Sequence, residues 1–324
     1  MSILISVIVP TYRRPHLLAQ CLNALLHQTF DSRHYEIIIV SDGPDDATRD
    51  AVARYDRPER LFCAALPAKG GPAAARNYGW RRSKGKLVVF TDDDCLPCND
   101  WLVTLWNVYA AARLDAIALT GRIIVPLPEP PTDYARNVAN LETAEFVTAN
   151  CACSRRVLDD VGGFDEAFTM AWREDSDLHF KILENGVPLI HVPKAIVTHP
   201  VRAARWGVSI HEERKGLFNA LLYKKYPRLY RKKISDRIPW QYYMIVLSFA
   251  VGIVGFAFGL REVSWAGLIC WAILTVNFIG KRLRLTSNSF THVSEMIVTS
   301  LFIPFLSIYW RIYGSLKFKV LFIR

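Results

Sequence analysis

Val88-Val-Phe-Thr-Asp-Asp-Asp-Cys-Leu-Pro97 passes directly from a short apolar run into three adjacent carboxylates. A β-branched and aromatic run with polar ends has the composition of a buried strand, so the acids fall where that strand stops. Three like charges in a row repel, and two arrangements relieve them. One is a solvated turn or helix N-cap, with Asn99-Asp100 opening the helix that follows. The other is a divalent cation toward which alternate Asp side chains turn.

Upstream and downstream of this stretch the same kind of run recurs, at Ser6-Val-Ile-Val9, Glu36-Ile-Ile-Ile-Val40, Leu61-Phe-Cys-Ala-Ala65, Lys86-Leu-Val-Val-Phe90 and Ala116 to Val125. Helical stretches lie between, near 15–28, 45–55, 72–83 and 99–113. Short apolar strands alternating with helices imply βαβ crossovers, hence a doubly wound α/β sheet. Ligands of such sheets collect beyond the carboxyl ends of the strands. Three polar groups fall there: Pro10-Thr-Tyr-Arg13, Ser41-Asp42-Gly43 and Asp92-Asp93-Asp94. Lys69-Gly-Gly-Pro72 could set backbone N–H groups against an anion, although it lacks the spacing of a Walker-type phosphate loop.

Beyond the Pro126-Leu-Pro-Glu-Pro-Pro131 connector, Val147 to Cys153 reads as a strand and Gly162-Gly-Phe-Asp-Glu166 as a tight loop. A helix begins near Trp172 and places Glu174 and Asp175 in its first turn. The helix dipole alone could account for those two acids.

The chain has 324 residues, enough for a domain of roughly 200 residues and something smaller. Its 40 Lys and Arg against 30 Asp and Glu give a net charge of +10, which suggests an anionic partner. The location of the charge identifies that partner. Tyr242 to Leu260 is 19 residues without a charge, and Val263 to Gly280 is another 18. Each is long enough to cross a hydrocarbon core, and Arg261-Glu262 leaves room only for a hairpin turn. Lys224 to Arg237 holds seven basic residues against one acid, and Lys281-Arg-Leu-Arg284 follows the second span. Both flanks belong on the cytosolic side, which puts the α/β domain in the cytosol, at the inner (plasma) membrane. Met296 to Trp310, apolar for only 15 residues, reads as interfacial or re-entrant, with a third true span as the alternative. Nucleic acid is thereby disfavoured as the partner.

Ile3 to Val9 is too short, and lacks the basic flank, for a secretory signal; it reads as a first strand. The seven cysteines, at 21, 63, 95, 98, 151, 153 and 270, follow no framework spacing and are expected as reduced thiols. Cys95 with Cys98 and Cys151 with Cys153 could supply zinc ligands or a redox pair, but a CxC half-site is atypical.

Taken in order, Ser6 to Tyr12, Ser41-Asp42-Gly43, Gly71 with Ala75-Arg76-Asn77, Phe90-Thr-Asp-Asp-Asp94, Gly162 to Glu166 and Glu174-Asp175 resemble the family 2 glycosyltransferases. The resemblance covers about residues 4 to 200. It implies a GT-A fold with a doubly wound mixed sheet, in a domain spanning residues 1–223, and inverting transfer from a nucleotide-diphosphate sugar. Residues 224–324 would form the basic juxtamembrane and membrane region. The donor would be held by Pro10, Thr11, Tyr12, Asp42, Lys69, Arg76, Asp92 and Asp93, with Asp42 meeting the base. Asp92 and Asp94 form the DxD for Mn2+ or Mg2+, joined by His199. Cys95 departs from the pattern, standing where many relatives carry another acid, and Arg13-Arg14 replaces the usual residues after the first strand. Asp175 would be the base that deprotonates the acceptor, with Glu174 the alternative. Gly163, Phe164, Asp165 and Trp172 would line the acceptor groove. The membrane segments point to a lipid-linked or envelope glycan acceptor. A metal phosphohydrolase and a non-catalytic membrane binding module are the competing classes, although the His-rich two-metal set of the former is missing.

Overall fold

The computed structural model describes residues 2–55, 57, 59–235 and 237–322. They form two compact units, one of residues 1–126 and 139–201, the other of residues 127–138 and 202–324. The expected division at residue 223 lies further along the chain than the change of unit at Val201.

The first unit is built on eight strands: β1 (Ile5–Thr11), β2 (Tyr35–Ser41), β3 (Leu61–Ala65), β4 (Leu87–Phe90), β5 (Leu96–Pro97), β6 (Ala118–Ile124), β7 (Cys151–Ser154) and β8 (Leu189–Thr198). Their order across the sheet is β3-β2-β1-β4-β7-β6-β8-β5. The first four pair in parallel, whereas β7 runs antiparallel to both β4 and β6, so the sheet is mixed. Every residue of β1, β2 and β4 is buried, because helices such as Pro15–Leu26 and Pro72–Arg82 fill the crossovers and cover the sheet.

One acid sits inside this apolar sheet. Glu36 of β2 accepts from Ser6 Oγ at 2.6 Å and from the Lys84 amide at 2.5 Å, while Ser6 Oγ accepts from the Gly85 amide at 2.7 Å. These bonds satisfy a buried carboxylate and fix the approach to β4. They also explain Gly85, where a Cβ would stand 2.5 Å from the Ser6 nitrogen.

The order of β1 and β4 matters for function. The chain adds β2 and β3 on one side of β1, then crosses back to lay β4 on the other side, and that reversal is where doubly wound sheets open a crevice. Thr11 ends β1 and Asp92-Asp93-Asp94 follow β4, so both face this point.

The second unit contains the three described helices long and apolar enough to cross a membrane, Trp240–Ala257, Arg261–Leu283 and Phe290–Phe318. Segment 296–310 is thus the middle of a 29-residue helix, roughly 43 Å long, rather than an isolated 15-residue element. The apolar run looked short because Glu295 and Arg311 bound it. Helical backbone continues through both, and Glu295 accepts the Gly207 amide at 2.7 Å. The first two helices form a close hairpin: a Cβ on Gly267 would lie 2.6 Å from the Gly252 nitrogen, and one on Gly255 2.6 Å from Ser264 Oγ. Small residues let the backbones touch, the usual basis of helix association in lipid. Gly259, four residues after Gly255, would carry a Cβ into open space and takes no part in the crossing. It follows the first helix at φ +72°, where glycine ends a helix without steric strain. Arg282 anchors the far end of the hairpin, donating to Asp133 Oδ2 at 2.8 Å, Thr299 Oγ1 at 2.7 Å and Ser300 Oγ at 2.9 Å.

Candidate active site

The three consecutive aspartates take different sets of partners, with Arg14 shared between two of them. Asp92 points to Arg76, whose Nη2 donates to Oδ1 at 2.7 Å. Asp93 turns inward, accepting from Thr11 Oγ1 at 2.6 Å and pairing with Arg14 Nη2 at 2.7 Å. Asp94 lies 3.7 Å from His199 Nε2 through Oδ1 and 3.5 Å from Arg14 Nη1 through Oδ2. Asp93 and Asp94 are buried, so the solvated-turn reading of this stretch fails.

Electrostatics separate the three further. Burial alone would raise Asp92, but the adjacent Arg76 guanidinium outweighs it and holds the carboxyl below its ordinary range. Asp93 is pushed up to about 6, chiefly by burial, with Arg14 and Thr11 opposing.

Arg76 is the hinge of the site. Its Nη1 donates to Glu174 Oε1 at 3.1 Å while Nη2 holds Asp92, and the side chain is buried. It projects from the helix Pro72–Arg82, and Glu174 opens the helix Glu174–Glu184, so one guanidinium joins the acids after β4 to the second acidic pair. Arg76, expected to help orient the nucleotide, has its guanidinium shared between two carboxylates of the protein. It also commits Asp92 to an arginine, leaving Asp94 as the acid that faces His199.

Glu174 and Asp175 are both raised, mainly by burial. Glu174 is spoken for by Arg76. Asp175, half-buried, accepts from its neighbour Ser176, through the amide at 2.6 Å and the hydroxyl at 3.2 Å.

Other expected contacts divide into two groups. Pro10 is buried within β1 opposite Val40, and Tyr12 just beyond it is half-buried, its ring 4.0 Å from the exposed Lys69 Nζ. Asp42 was expected to meet a base, yet its Oδ1 accepts the Gly70 and Gly71 amides at 2.6 and 2.8 Å and so fixes the 69–71 loop. In the GGFDE loop, Phe164, expected to line the acceptor groove, is buried and packs edge-on against Phe90 at 5.1 Å. Gly163, at φ +68°, is buried with no room for a Cβ, which would lie 2.6 Å from Trp80 Nε1. Asp165 accepts the Ala167 amide at 2.9 Å, a local turn bond. Trp172 alone of the four acceptor candidates presents a large exposed face.

Asn77 entered the sequence reading as a motif residue without a role. Its amide satisfies four partners: Nδ2 donates to the Phe164 carbonyl and to Glu166 Oε1, and Oδ1 accepts from the Phe164 amide and Trp80 Nε1. A fully paired buried amide of this kind locks the GGFDE loop to the helix below it. Its adjacency to Arg76 was the available signal. Arg14, left without a role, proves to pair with two of the three aspartates.

Among the described residues, Asp94, Cys95 and His199 form a group whose ligand atoms all lie within 4.8 Å of one another, every member buried. The donor set fits a divalent ion. A carboxylate and an imidazole face each other at 3.7 Å, beyond hydrogen-bond length, and His199 Nδ1 is buried without a hydrogen-bond partner among the described residues.

Comparison with known proteins agrees with this geometry. Residues 6–162 match the family model described as glycosyl transferase family 2. Glycosyltransferase AglE of Haloferax volcanii is 26% identical over 210 residues, 61% of this chain and 67% of that protein. Validoxylamine A glucosyltransferase of Streptomyces hygroscopicus subsp. limoneus is 26% identical over 247 residues, covering 65% of this chain and 52% of its own length. Pre-mycofactocin glycosyltransferase of Mycobacterium tuberculosis reaches 32% over 189 residues, 52% of this chain but 38% of the relative. The chain therefore spans between about two-fifths and two-thirds of these relatives. The crystal structure of Staphylococcus aureus TarS superimposes with a TM-score of 0.51 at 18% identity, over 97% of this chain and 55% of that one, which is a likeness of fold. Through residues 6–162, with the mixed sheet and the acids at its switch point, the chain is similar to the family 2 glycosyltransferases.

Proposed function

We propose that the protein transfers a sugar, with inversion, from a nucleotide-diphosphate sugar to a hydroxyl or phosphate of a lipid-linked or envelope acceptor at the cytosolic face of the inner membrane. The observation that carries the reading is the Asp92–Arg76–Glu174 bridge, because it brings the donor acids and a candidate base to one site.

Asp94 and His199 would hold Mn2+ or Mg2+, which when bound supplies Lewis acidity for the departing diphosphate. Thr11 and Arg14 keep Asp93 turned inward, so that Asp94 is left to face His199. Tyr12 and Lys69 offer a ring and a cation for the nucleotide. Asp175 takes the proton of the acceptor as its oxygen bonds to the anomeric carbon, while the carbon–oxygen bond to phosphate breaks and the nucleoside diphosphate leaves with the electron pair. Its raised proton affinity suits a base, and Glu174, held by Arg76, is the poorer candidate. One displacement inverts the centre. The exposed face of Trp172 suits a sugar ring.

The three apolar helices and the basic residues flanking them support a membrane-resident acceptor and a cytosolic catalytic unit. The reading is tested by nucleotide release from UDP-, GDP- and dTDP-sugars with and without Mn2+, using full-length protein in detergent. Asp175→Asn should keep donor binding and lose transfer, whereas Asp94→Ala should lose Mn2+-dependent donor binding. Equal loss of binding in both would refute the separation of roles, and hydrolysis of simple phosphate esters would favour a phosphohydrolase.

A further inference from the structure

The sequence of the acidic turn contains a residue that the transfer reaction does not use. Cys95 follows Asp94 and is wholly buried, and its Sγ falls within 4.8 Å of ligand atoms of both Asp94 and His199. Its position is fixed by backbone pairing. The Cys95 amide closes a turn onto the Asp92 carbonyl at 3.1 Å, and β5 then pairs antiparallel with β8 through Leu96 opposite Thr198. One step back in that register sets Cys95 beside His199, whose amide is tied to the Ile124 carbonyl at 2.8 Å.

We propose that Cys95 is a third ligand of the Asp94–His199 cation site, and that its sulfur shifts the site's selectivity from Mg2+ toward thiophilic divalent ions such as Co2+, Zn2+ and Cd2+. The inference rests on the cation site named in the proposed function and deepens it. An oxygen-only site takes hard ions, and imidazole extends the range to borderline ones. A thiolate adds a ligand that Mg2+ does not favour. On coordination the sulfur–metal bond forms and the thiol proton passes to water, so ion uptake releases a proton. The orphaned Nδ1 of His199 adds independent weight: among the described residues it has no hydrogen-bond partner although it is buried, and Nε2 faces Asp94 Oδ1 at 3.7 Å, beyond hydrogen-bond length but within reach of a shared ion.

The test is a Co2+ titration of metal-stripped full-length protein followed by absorption. The wild type should show visible ligand-field bands and a near-ultraviolet thiolate-to-cobalt band. Cys95→Ser should keep the former and lose the latter, and Cys21→Ser, which alters the neighbouring buried thiol, should keep both. The Mg2+ concentration that displaces Co2+ should fall about tenfold or more in Cys95→Ser. Cadmium-113 resonance of the wild type gives a second measurement that requires no variant, with a sulfur-shifted signal expected. Visible bands without the near-ultraviolet band, or a band that survives Cys95→Ser, would overturn the role of Cys95 while leaving an Asp–His cation site intact. Failure of both Mn2+ and Co2+ to bind would instead overturn the cation site itself.

Discussion

Replacing Arg76 by methionine tests the arrangement on which the site depends. The substitution preserves the stem and much of the volume, and removes one cation from between two carboxylates, Asp92 at 2.7 Å and Glu174 at 3.1 Å. Breaking a buried pair from one side leaves an uncompensated charge and costs about 3–5 kcal/mol. For a unit of this size that corresponds to a fall in Tm of roughly 6–20 °C, measurable by thermal unfolding of full-length protein in detergent. The pH dependence gives a sharper criterion. In the wild type Arg76 holds Asp92 below its ordinary range, a contribution to stability that is present above the unfolded carboxyl value and lost as pH falls through the lowered one. In the variant both acids lose their counter-charge and bind protons more readily in the folded than in the unfolded state, so its deficit should shrink as pH is lowered from neutral. Arg76→Lys, which cannot fork to two acids, should recover part of the loss. A deficit below about 1 kcal/mol, the scale of a surface pair, or one independent of pH, would refute the account.

Other consequences can be checked separately. Asn77→Ala strands the Phe164 amide and the Trp80 Nε1 among buried partners and should cost about 2–4 kcal/mol in denaturant unfolding, with the GGFDE loop opening to hydrogen exchange. Transfer activity should rise with pH along a limb displaced above the ordinary aspartate range, because burial raises Asp175 and only its ionised form accepts a proton; a pH–rate profile extending into acid should reveal it. Gly267→Val drives a side chain into the Gly252 backbone, and should separate the first two apolar helices, as read by loss of a cysteine cross-link engineered across the crossing.

Much of the scaffold was legible because parallel strands buried on both faces leave continuous apolar runs, and β1, β2 and β4 are of that kind. Val147 to Cys153 misled for a local reason. The expected strand is broken by a 3-10 turn, Thr148–Asn150, since Asn150 is drawn into bonds with Trp101 Nε1 and the carbonyls of Arg122 and Ala195, and only Cys151–Ser154 extends. In the site, carboxylate type and strand-end position singled out the aspartates, but not the partner each would choose. Phe164 and Gly163 looked like groove residues because a loop's sequence does not record which face is packed. The third apolar helix was underestimated because charge was counted as a boundary, whereas Glu295 is already paired within its own unit.

The division of labour among the three aspartates follows from where the sheet reverses. β4 delivers its acids to the place where β1 ends, and Thr11, the last residue of β1, donates across that gap to Asp93. This bond, with Arg14, turns the middle acid inward. Side chains on either side of it must then diverge, Asp92 toward the helix of Arg76 and Asp94 toward β8 and His199. The middle acid therefore acts as a positioning residue. Asp93→Asn keeps an acceptor for Thr11 but weakens the attraction of Arg14, so it should loosen Asp94 from His199 and weaken Mn2+ binding while leaving the Arg76 bridge in place. A calorimetric Mn2+ titration that matches wild type, with unchanged Tm, would refute the positioning role.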